Sequence, residues 1–204
     1  EEHLIKADFT YAYGISAADI DGDGHVDLVA ADTTVGLYWF ENDGGGNFVQ
    51  HVIRERSGEW LERHVIADIN GDGRPEIVIV DNLNGSLLWL EYSGDPREIR
   101  SWDQHYVSEG GLPGAYDVTV ADFDGDGDLD VAASCWRKGN RFVWFENRAG
   151  EWIRHTIETN IAETRTVRAA DVNGDGKVDI VGTARGENQD AQQEHEPEDG
   201  GHRA

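Results

Sequence analysis

One acidic pattern occurs four times in this chain and constrains its fold more than any other feature. In each copy, Asp or Asn stands at positions 1, 3 and 5, glycine at positions 4 and 6, and an acid at position 9. The copies begin at Asp19, Asp68, Asp122 and Asp171, which are 49, 54 and 49 residues apart. A repeated period of this length indicates a protein built from one supersecondary unit.

The spacing of the oxygen-bearing side chains predicts a calcium loop. Side chains at positions 1, 3 and 5 converge on one point, position 7 supplies a backbone carbonyl, and position 9 completes the six to eight oxygens that Ca²⁺ takes. The glycines allow the positive φ angles of such a loop. A set of Asp-Gly hairpin turns without metal is the alternative. The predicted ligands of about four Ca²⁺ ions are Asp19, Asp21, Asp23, His25 and Asp27, then Asp68, Asn70, Asp72, Arg74 and Glu76, then Asp122, Asp124, Asp126, Asp128 and Asp130, and finally Asp171, Asn173, Asp175, Lys177 and Asp179.

Short apolar segments on both sides of each loop predict that the loop joins two strands. The segments, such as residues 15–20 and 26–31, are too short for amphipathic helices. A third strand with a central tryptophan follows at residues 37–42, 87–92 and 142–147, and a fourth strand with a histidine follows at 48–53, 102–107 and 152–157. Four strands in about fifty residues are typical of a propeller blade.

The loop, placed between the first two strands of a four-stranded blade, resembles the FG-GAP or VCBS-type repeat of integrin α-subunit propellers and many secreted proteins. The resemblance covers about residues 3–184. It implies an all-β, calcium-binding, propeller-type repeat of antiparallel blades, with about 3.5 to 4 blades in this chain. The predicted blades span about residues 15–53, 63–107 and 117–157, with a partial blade at 167–184 and a disordered polar tail at 185–204. Integrin-like propellers usually have seven blades, whereas this chain has four loops.

The partial fourth blade leaves an open sheet edge, which is a template for strand pairing. Residues 3–5 repeat the motif of the fourth strands, so they are predicted to be a spare outer strand. This strand completes the last blade of the same chain, completes a blade of a neighbouring molecule, or belongs to a larger propeller of which the chain is a fragment. The sequence leaves these three alternatives open.

The net charge of −24 fits a calcium-binding protein outside the cell. Fourteen carboxylates occupy loop positions 1, 3, 5 and 9, and four Ca²⁺ ions would bring the formal charge to about −16. We expect metal binding to be coupled to folding, because the empty loops repel themselves. A secreted or cell-surface location is expected, since the exterior supplies calcium. The negative charge argues against nucleic acid and anionic membranes as partners, and no segment is apolar for long enough to span a membrane.

The ends of the blades opposite the calcium loops are the expected ligand face. Strands alternate in direction, so the connections between strands 2 and 3 and between consecutive blades lie together there. Loops on a rigid scaffold commonly carry binding, although scattered surface aromatics and cations are an alternative interpretation. The candidate ligand-binding residues are Tyr13, Trp60, Tyr116, Trp136, Arg137 and Arg165. Glu62 shares with three of them, Tyr13, Tyr116 and Arg165, the position six residues before a loop.

These features favour a binding or adhesion module for a glycan or a protein. The chain has no nucleophile elbow, zinc-protease motif or phosphate-binding glycine loop, so we do not expect an enzyme. The histidines of the fourth strands and the tryptophans of the third recur in phase, which favours structural roles, and the single Cys135 has no intrachain disulfide partner. The alternative is a subunit that assembles into an extracellular fibre or ring by donating its N-terminal strand. A polysaccharide-active enzyme is the third possibility.

Overall fold

The chain folds into β-sheets. The computed structural model describes residues 4–6, 8–137, 139–159 and 161–185, and in these ranges it has fourteen strands, one 3₁₀ turn at Ile99–Ser101 and no α-helix. The strands form three four-stranded sheets and one two-stranded sheet, all antiparallel. The predicted all-β fold of antiparallel blades is therefore confirmed, as three full blades and a half blade. The described blades form an arc that does not close into a ring.

Each sheet is a meander, in which strands adjacent in the chain are adjacent in the sheet. The first blade comprises β1 (Ala12–Ala18), β2 (Asp27–Asp32), β3 (Gly36–Asn42) and β4 (Phe48–Glu55). The second comprises β5 (Leu61–Ala67), β6 (Glu76–Asp81), β7 (Ser86–Tyr92) and β8 (Trp102–Ser108). The third comprises β9 (Ala115–Ala121), β10 (Asp130–Cys135), β11 (Arg141–Arg148) and β12 (Glu151–Thr159), and the half blade comprises β13 (Val167–Ala170) and β14 (Asp179–Gly182). Every acidic loop thus joins the first two strands of its blade, as predicted.

Consecutive blades pack face to face, with β1 beside β5, β5 beside β9 and β9 beside β13. A sheet with neighbours on both sides has two buried faces, so its central strands are apolar at successive positions. Strand β6 shows this pattern. Ile77 and Ile79 pack in the cluster shared with the first blade, whereas Val78 and Val80 pack in the cluster shared with the third.

The tryptophans of the third strands are part of this packing. Trp39 is fully buried between the first two blades, and the equivalent Trp89 and Trp144 are partly buried at the next two interfaces. Each packs against the histidine of the neighbouring outer strand, with ring centroids 4.2 to 4.8 Å apart, stacked in the second and third blades and tilted by 35° in the first. Each histidine Nε2 lies 2.7 to 2.8 Å from a carboxylate oxygen, in the pairs His51–Glu41, His105–Glu91 and His155–Glu146. The threefold recurrence supports the structural interpretation of these side chains.

Among the described residues, one face of the first blade has no neighbouring blade. Ile15 is 70% exposed, whereas His64, Val118 and Val167, which occupy the same position in the other blades, are buried against the preceding sheet. An apolar groove of about 420 Å³ lies on this face and is lined in part by Phe9. The first blade therefore exposes the kind of surface that every other described blade buries.

At the start of the chain the structure differs from the sequence prediction, and the predicted tail lies almost entirely outside the described residues. His3 lies outside the described residues, and Leu4 and Ile5, predicted to belong to a spare outer strand, lie in no strand. Ile5 instead lines the apolar groove of the first blade. The predicted disordered tail at 185–204 lies outside the described residues except for Arg185.

Candidate functional site: acidic loops and an aromatic pocket

Each acidic loop is closed by backbone amides that donate to its first aspartate. The carboxylate of Asp19 accepts hydrogen bonds from the amides of Gly22, Asp23 and Gly24 at 2.9 to 3.1 Å. Gly22 and Gly24 have φ angles of +77° and +90°, and all the glycines at positions 4 and 6 of the four loops have positive φ, as predicted. The bond from the sixth residue to the first aspartate recurs at Asp68, Asp122 and Asp171.

The acid at position 9 ties its loop to the sheet. In the first loop, the fully buried Asp27 accepts hydrogen bonds from the amide of Ile20 in the loop and from the amide of Asn42 at the end of β3, at 3.1 and 2.8 Å. Equivalent bonds of 2.8 to 3.0 Å join Asp130 to Phe123 and Asn147, Glu76 to Ile69, and Asp179 to Val172. This acid therefore contributes to the fold as well as to any metal site.

Three of the four loops bring carboxylates close enough to share one cation. In each group, one ligand oxygen per residue lies within 4.8 Å of the others. The groups are Asp19, Asp21 and Asp27; Asp68, Asp72 and Glu76; and Asp122, Asp124 and Asp130. The fourth loop keeps the amide bonds to Asp171, but among the described residues its carboxylates do not form such a group. The backbone contribution of position 7, at His25, Arg74, Asp128 and Lys177, stays a prediction.

Burial disfavours the charged form of the position-9 acids in these groups. Burial raises the pKa of Glu76 to about 7 and raises the pKa values of Asp27 and Asp130 above their ordinary range. A raised carboxyl pKa means that the folded protein disfavours the charged form. A cation among the three oxygens would offset that cost, and a donor set of oxygens alone suits a hard metal ion. The acidic triplets can therefore bind a metal ion.

In two of the loops, an arginine side chain pairs with one of the predicted ligand carboxylates. The guanidinium of Arg97, from the second blade, donates to Asp21 at 2.6 Å and also to Glu41 in the first blade. Its hydrogen bond holds the pKa of Glu41 below the usual range. Within the second loop, Arg74 donates to Asp72 at 2.6 Å. No local pattern in the sequence predicts this contact, because Arg97 lies 76 residues from Asp21.

The opposite ends of the blades enclose a cavity of about 540 Å³, which we call the aromatic pocket. Its walls include residues of the turns after β6 and before β9. The side chains that define it are Tyr13, Trp60, Glu62, Trp136 and Arg137. Four of the six predicted ligand-face residues therefore line a single cavity.

The other two predicted residues lie beside Trp136. The ring of Tyr116 is 5.4 Å from the ring of Trp136, and the guanidinium of Arg165 is 4.1 Å from it. Arg63, which the sequence analysis missed, lies 4.3 Å from the ring centre of Tyr116 and donates to its hydroxyl at 3.0 Å. The structure thus brings all six candidates together, and their role in binding stays a prediction.

The backbone around the pocket is fixed by a buried carboxylate and a close approach. Asp81 accepts hydrogen bonds from the amides of Trp60 and Leu83 at 3.0 and 3.1 Å. The amide of Trp136 donates to the carbonyl of Gly114 at 2.7 Å. Gly114 has a φ of +73°, and a Cβ there would lie 2.1 Å from the carbonyl oxygen of Trp136. Only glycine fits this position, so the turn before β9 sets the place of Trp136.

Two pocket residues carry buried polar atoms without hydrogen-bond partners. Glu62 is 6% exposed, and burial raises its pKa to about 7. Its Oε2 atom and the Nε1 atom of Trp136 have no partner among the described residues. Buried polar atoms nearly always have partners, so these two atoms are exceptions that call for an explanation. The repeat position that Glu62 shares with Tyr13 was the sequence signal for its place in the pocket.

The comparison with protein families agrees with this geometry. A family model described as the FG-GAP-like repeat matches residues 19–79, 68–133 and 122–182. Each match begins at the first aspartate of one acidic loop and ends in or just after the second strand of the next blade. The repeating unit therefore runs from loop to loop. A search of curated proteins finds no match.

Proposed function

The chain belongs to the FG-GAP-like repeat family, and from this premise we propose that it is an extracellular module that binds Ca²⁺ at its loops and a glycan or protein ligand at the aromatic pocket. The observation that carries the proposal is the difference between the two ends of the blades. One end repeats the same carboxylate geometry, and the other holds a single, non-repeating cluster of aromatic and cationic side chains. Repetition suits stabilisation, whereas a unique cluster on a rigid scaffold suits recognition.

Calcium is the metal that these loops suit best. The gathered ligands are carboxylate oxygens, with no thiol or imidazole among them. Hard cations prefer such ligands, and Ca²⁺ accepts the irregular geometry that a flexible loop offers better than Mg²⁺ does. Bound calcium would supply positive charge to residues such as Asp27 and Glu76, which the fold buries.

An extracellular setting follows from the proposed metal. Loops of modest affinity fill only where free calcium reaches the range of about 10⁻⁴ to 10⁻³ M that extracellular modules use. Within its described residues, the structure contains no helix with the length and apolar character that a membrane span requires. The calcium requirement is thus the reason for proposing that the protein acts in secreted form or at the cell surface.

The calcium proposal is tested by thermal unfolding with and without chelator, together with a count of bound calcium. If free calcium is a hundredfold above the dissociation constant of each of three sites, binding would add roughly 8 kcal/mol in total to the free energy of unfolding. We expect chelation to lower the Tm by more than about 10 °C. Unchanged melting in excess chelator would contradict the loop assignment.

The ligand proposal is tested by screening glycans and extracellular proteins for binding in calcium. Trp60→Ala removes an exposed ring of the pocket and should abolish the binding of any ligand found. Tyr106→Ala, which removes a similarly exposed ring from the outer strand β8, is the matched control and should bind normally. Equal loss in both variants would place the ligand elsewhere.

Self-assembly is a second candidate function, favoured by the open face of the first blade. The position of Ile15 is buried in every other described blade, so a second copy of the chain that packs there would find a surface of the right kind. Light scattering in calcium should then show an oligomer or polymer. Ile15→Glu should dissociate it, whereas Val49→Glu, at an exposed position of the outer strand β4, should not. A monomer at all concentrations would exclude this candidate.

A further inference from the structure

The aromatic pocket has the size and the walls of a site for a small, partly apolar ligand. Its volume of about 540 Å³ falls in the range of about 300 to 1,000 Å³ for such sites. Trp60 and Tyr13 are 41% and 42% exposed, so their side chains are accessible to a ligand. The negative face of an aromatic ring attracts positively polarised groups, such as the C–H bonds on the flat side of a sugar ring. These walls suit a pyranose.

The rim of the pocket carries a cation without a carboxylate partner. Arg137 lines the pocket, and its guanidinium lies 3.9 Å from the ring centre of Trp136. Arg165, beside the same ring, pairs with Glu163 at 3.8 Å, but Arg137 has no carboxylate partner among the described residues. Four other described arginines also lack a carboxylate partner, but each donates a hydrogen bond to a carbonyl or hydroxyl oxygen: Arg56, Arg63, Arg141 and Arg154. Among the described residues, the guanidinium of Arg137 makes no such hydrogen bond and packs on the ring of Trp136.

The backbone of Arg137 is also held in an unfavourable conformation. Its φ is +53°, in the left-handed region that favours glycine. A larger side chain at such a position costs conformational energy, and residues of this kind cluster at functional sites. Asn140, Ala149 and Glu163 also have a positive φ, so the backbone of Arg137 supports a binding role only together with its place at the pocket.

The unsatisfied polar atoms of the pocket point to a ligand with hydroxyl groups. The Oε2 atom of Glu62 and the Nε1 atom of Trp136 lack partners among the described residues. Both atoms are themselves closed to solvent, so they would meet a ligand only after a side-chain rotation toward the pocket that both residues line. A hydroxyl both donates and accepts hydrogen bonds, so it can satisfy a carboxyl oxygen and an indole N–H alike.

We propose that the aromatic pocket binds an acidic saccharide, with the sugar ring against Trp60 and Tyr13 and its carboxylate or sulfate group paired with the guanidinium of Arg137. This inference rests on the proposed binding function and selects one class among its ligands. The planar guanidinium fork matches carboxylate and sulfate oxygens in a bidentate pair. Nucleic acid, the other abundant polyanion, is disfavoured by the net charge of −24.

Titration calorimetry on the full chain in calcium tests the proposal with matched saccharides. The probes are a galacturonate tetramer and its neutral methyl ester, and a sulfated galactan tetramer and its desulfated form. We expect each acidic probe that binds to do so at least tenfold more tightly than its neutral counterpart. Which acidic probe binds better then identifies the group as carboxylate or sulfate, and either result supports the proposal.

Two arginine variants locate the effect. Arg137→Gly relieves the positive φ and should keep the fold, yet it should remove the preference for acidic probes. Arg100→Ala, at an arginine whose side chain is 85% exposed in the β7–β8 connection, is the control and should keep that preference. A preference that survives Arg137→Gly would overturn the proposal.

The remaining outcomes separate this inference from the proposed function. Equal binding of acidic and neutral probes, lost in Trp60→Ala, would overturn the acidic class while leaving a glycan-binding module in place. No binding of any saccharide would overturn the inference, and the calcium count and the protein-ligand screen would then test the proposed function separately.

Discussion

The two ends of the blades differ in how far they repeat. At the loop end, the first aspartate is the same in all four copies, and its hydrogen bond to the sixth residue recurs in each. At the pocket end, the position six residues before each loop holds four residues of three kinds, Tyr13, Glu62, Tyr116 and Arg165. The difference teaches that the fold dictates one end of the blade and leaves the other free to specialise. Four sets of variants can break or sharpen this comparison.

The largest effect is expected at position 9 of a loop. Asp130→Ala would leave the amides of Phe123 and Asn147 without partners in a buried setting and would remove a predicted metal ligand. We expect a loss of about 4 kcal/mol in the free energy of unfolding, measured in urea with calcium present. Asp128→Ala, two residues away at the exposed position 7, should cost less than about 1 kcal/mol. Equal losses would show that the loop end depends on net charge rather than on these bonds.

A smaller effect is expected at Gly114, on the pocket side. Gly114→Ala forces a Cβ against the Trp136 carbonyl at a positive φ and should cost about 3 kcal/mol, with calcium affinity unchanged. Gly110→Ala also has a positive φ, but its Cβ would meet no atom closer than 4.0 Å. It should cost only about 1 kcal/mol. A change in calcium affinity in Gly114→Ala would mean that the two ends are coupled.

Glu62 makes the pocket end sensitive to pH. Its pKa rises from an ordinary 4.5 to about 7 on folding, so its contribution to stability is complete below about pH 4.5 and is lost as the pH rises through 7. Glu62→Gln cannot ionise and should be more stable than the wild type by about 2 kcal/mol at pH 8, with little difference at pH 4. Urea unfolding at both pH values measures this difference. An equal stability difference at pH 4 and pH 8 would contradict the link to ionisation of this carboxyl.

The smallest effects are expected at the repeated histidines. The variants His51→Gln, His105→Gln and His155→Gln each remove one ring contact with a tryptophan and one contact with a glutamate. Each should lower stability by about 1 kcal/mol or less in thermal unfolding, with the more buried His51 at the upper end of that range. Loss of ligand binding in only one of them would show that a repeated position has acquired a unique role.

Local patterns in the sequence were enough to predict the blades and the loops. The spacing of the acids in a segment such as 19–27, with its two glycines, determines the loop geometry without help from distant residues. Packing of both sheet faces likewise explains the continuous apolar run of β6, which the repeat predicted as a strand. What the sequence could not supply were contacts between blades, such as Arg97 with Asp21 and Arg63 with Tyr116, because nothing local specifies them.

At Cys135, the repeat position could be predicted from the sequence, but the hydrogen bond made there could not. Cys135 occupies the repeat position of Asp32 and Asp81. The sequence alone does not explain why a cysteine replaces the aspartate there. In the second blade, Asp81 holds the amide of Trp60, whereas in the third blade the carbonyl of Cys135 accepts the hydroxyl of Thr164 at 2.7 Å. Burial raises the pKa of the Cys135 thiol to about 11, so it stays neutral. The carboxylate that holds Trp60 therefore has no counterpart in the third blade, where the backbone of Cys135 bonds instead to the connection before β13.

An arc in which each described blade packs only on its neighbours in sequence behaves as a one-dimensional chain of coupled units. Its stability is then approximately a sum of blade terms and nearest-neighbour terms, and unfolding can begin at either flank and spread inward. Among the described residues, the half blade has one interface and two short strands, so it has the fewest such terms. Amide hydrogen exchange should therefore be fastest in β13 and β14 and slowest in the doubly covered second blade, a gradient of protection along the arc.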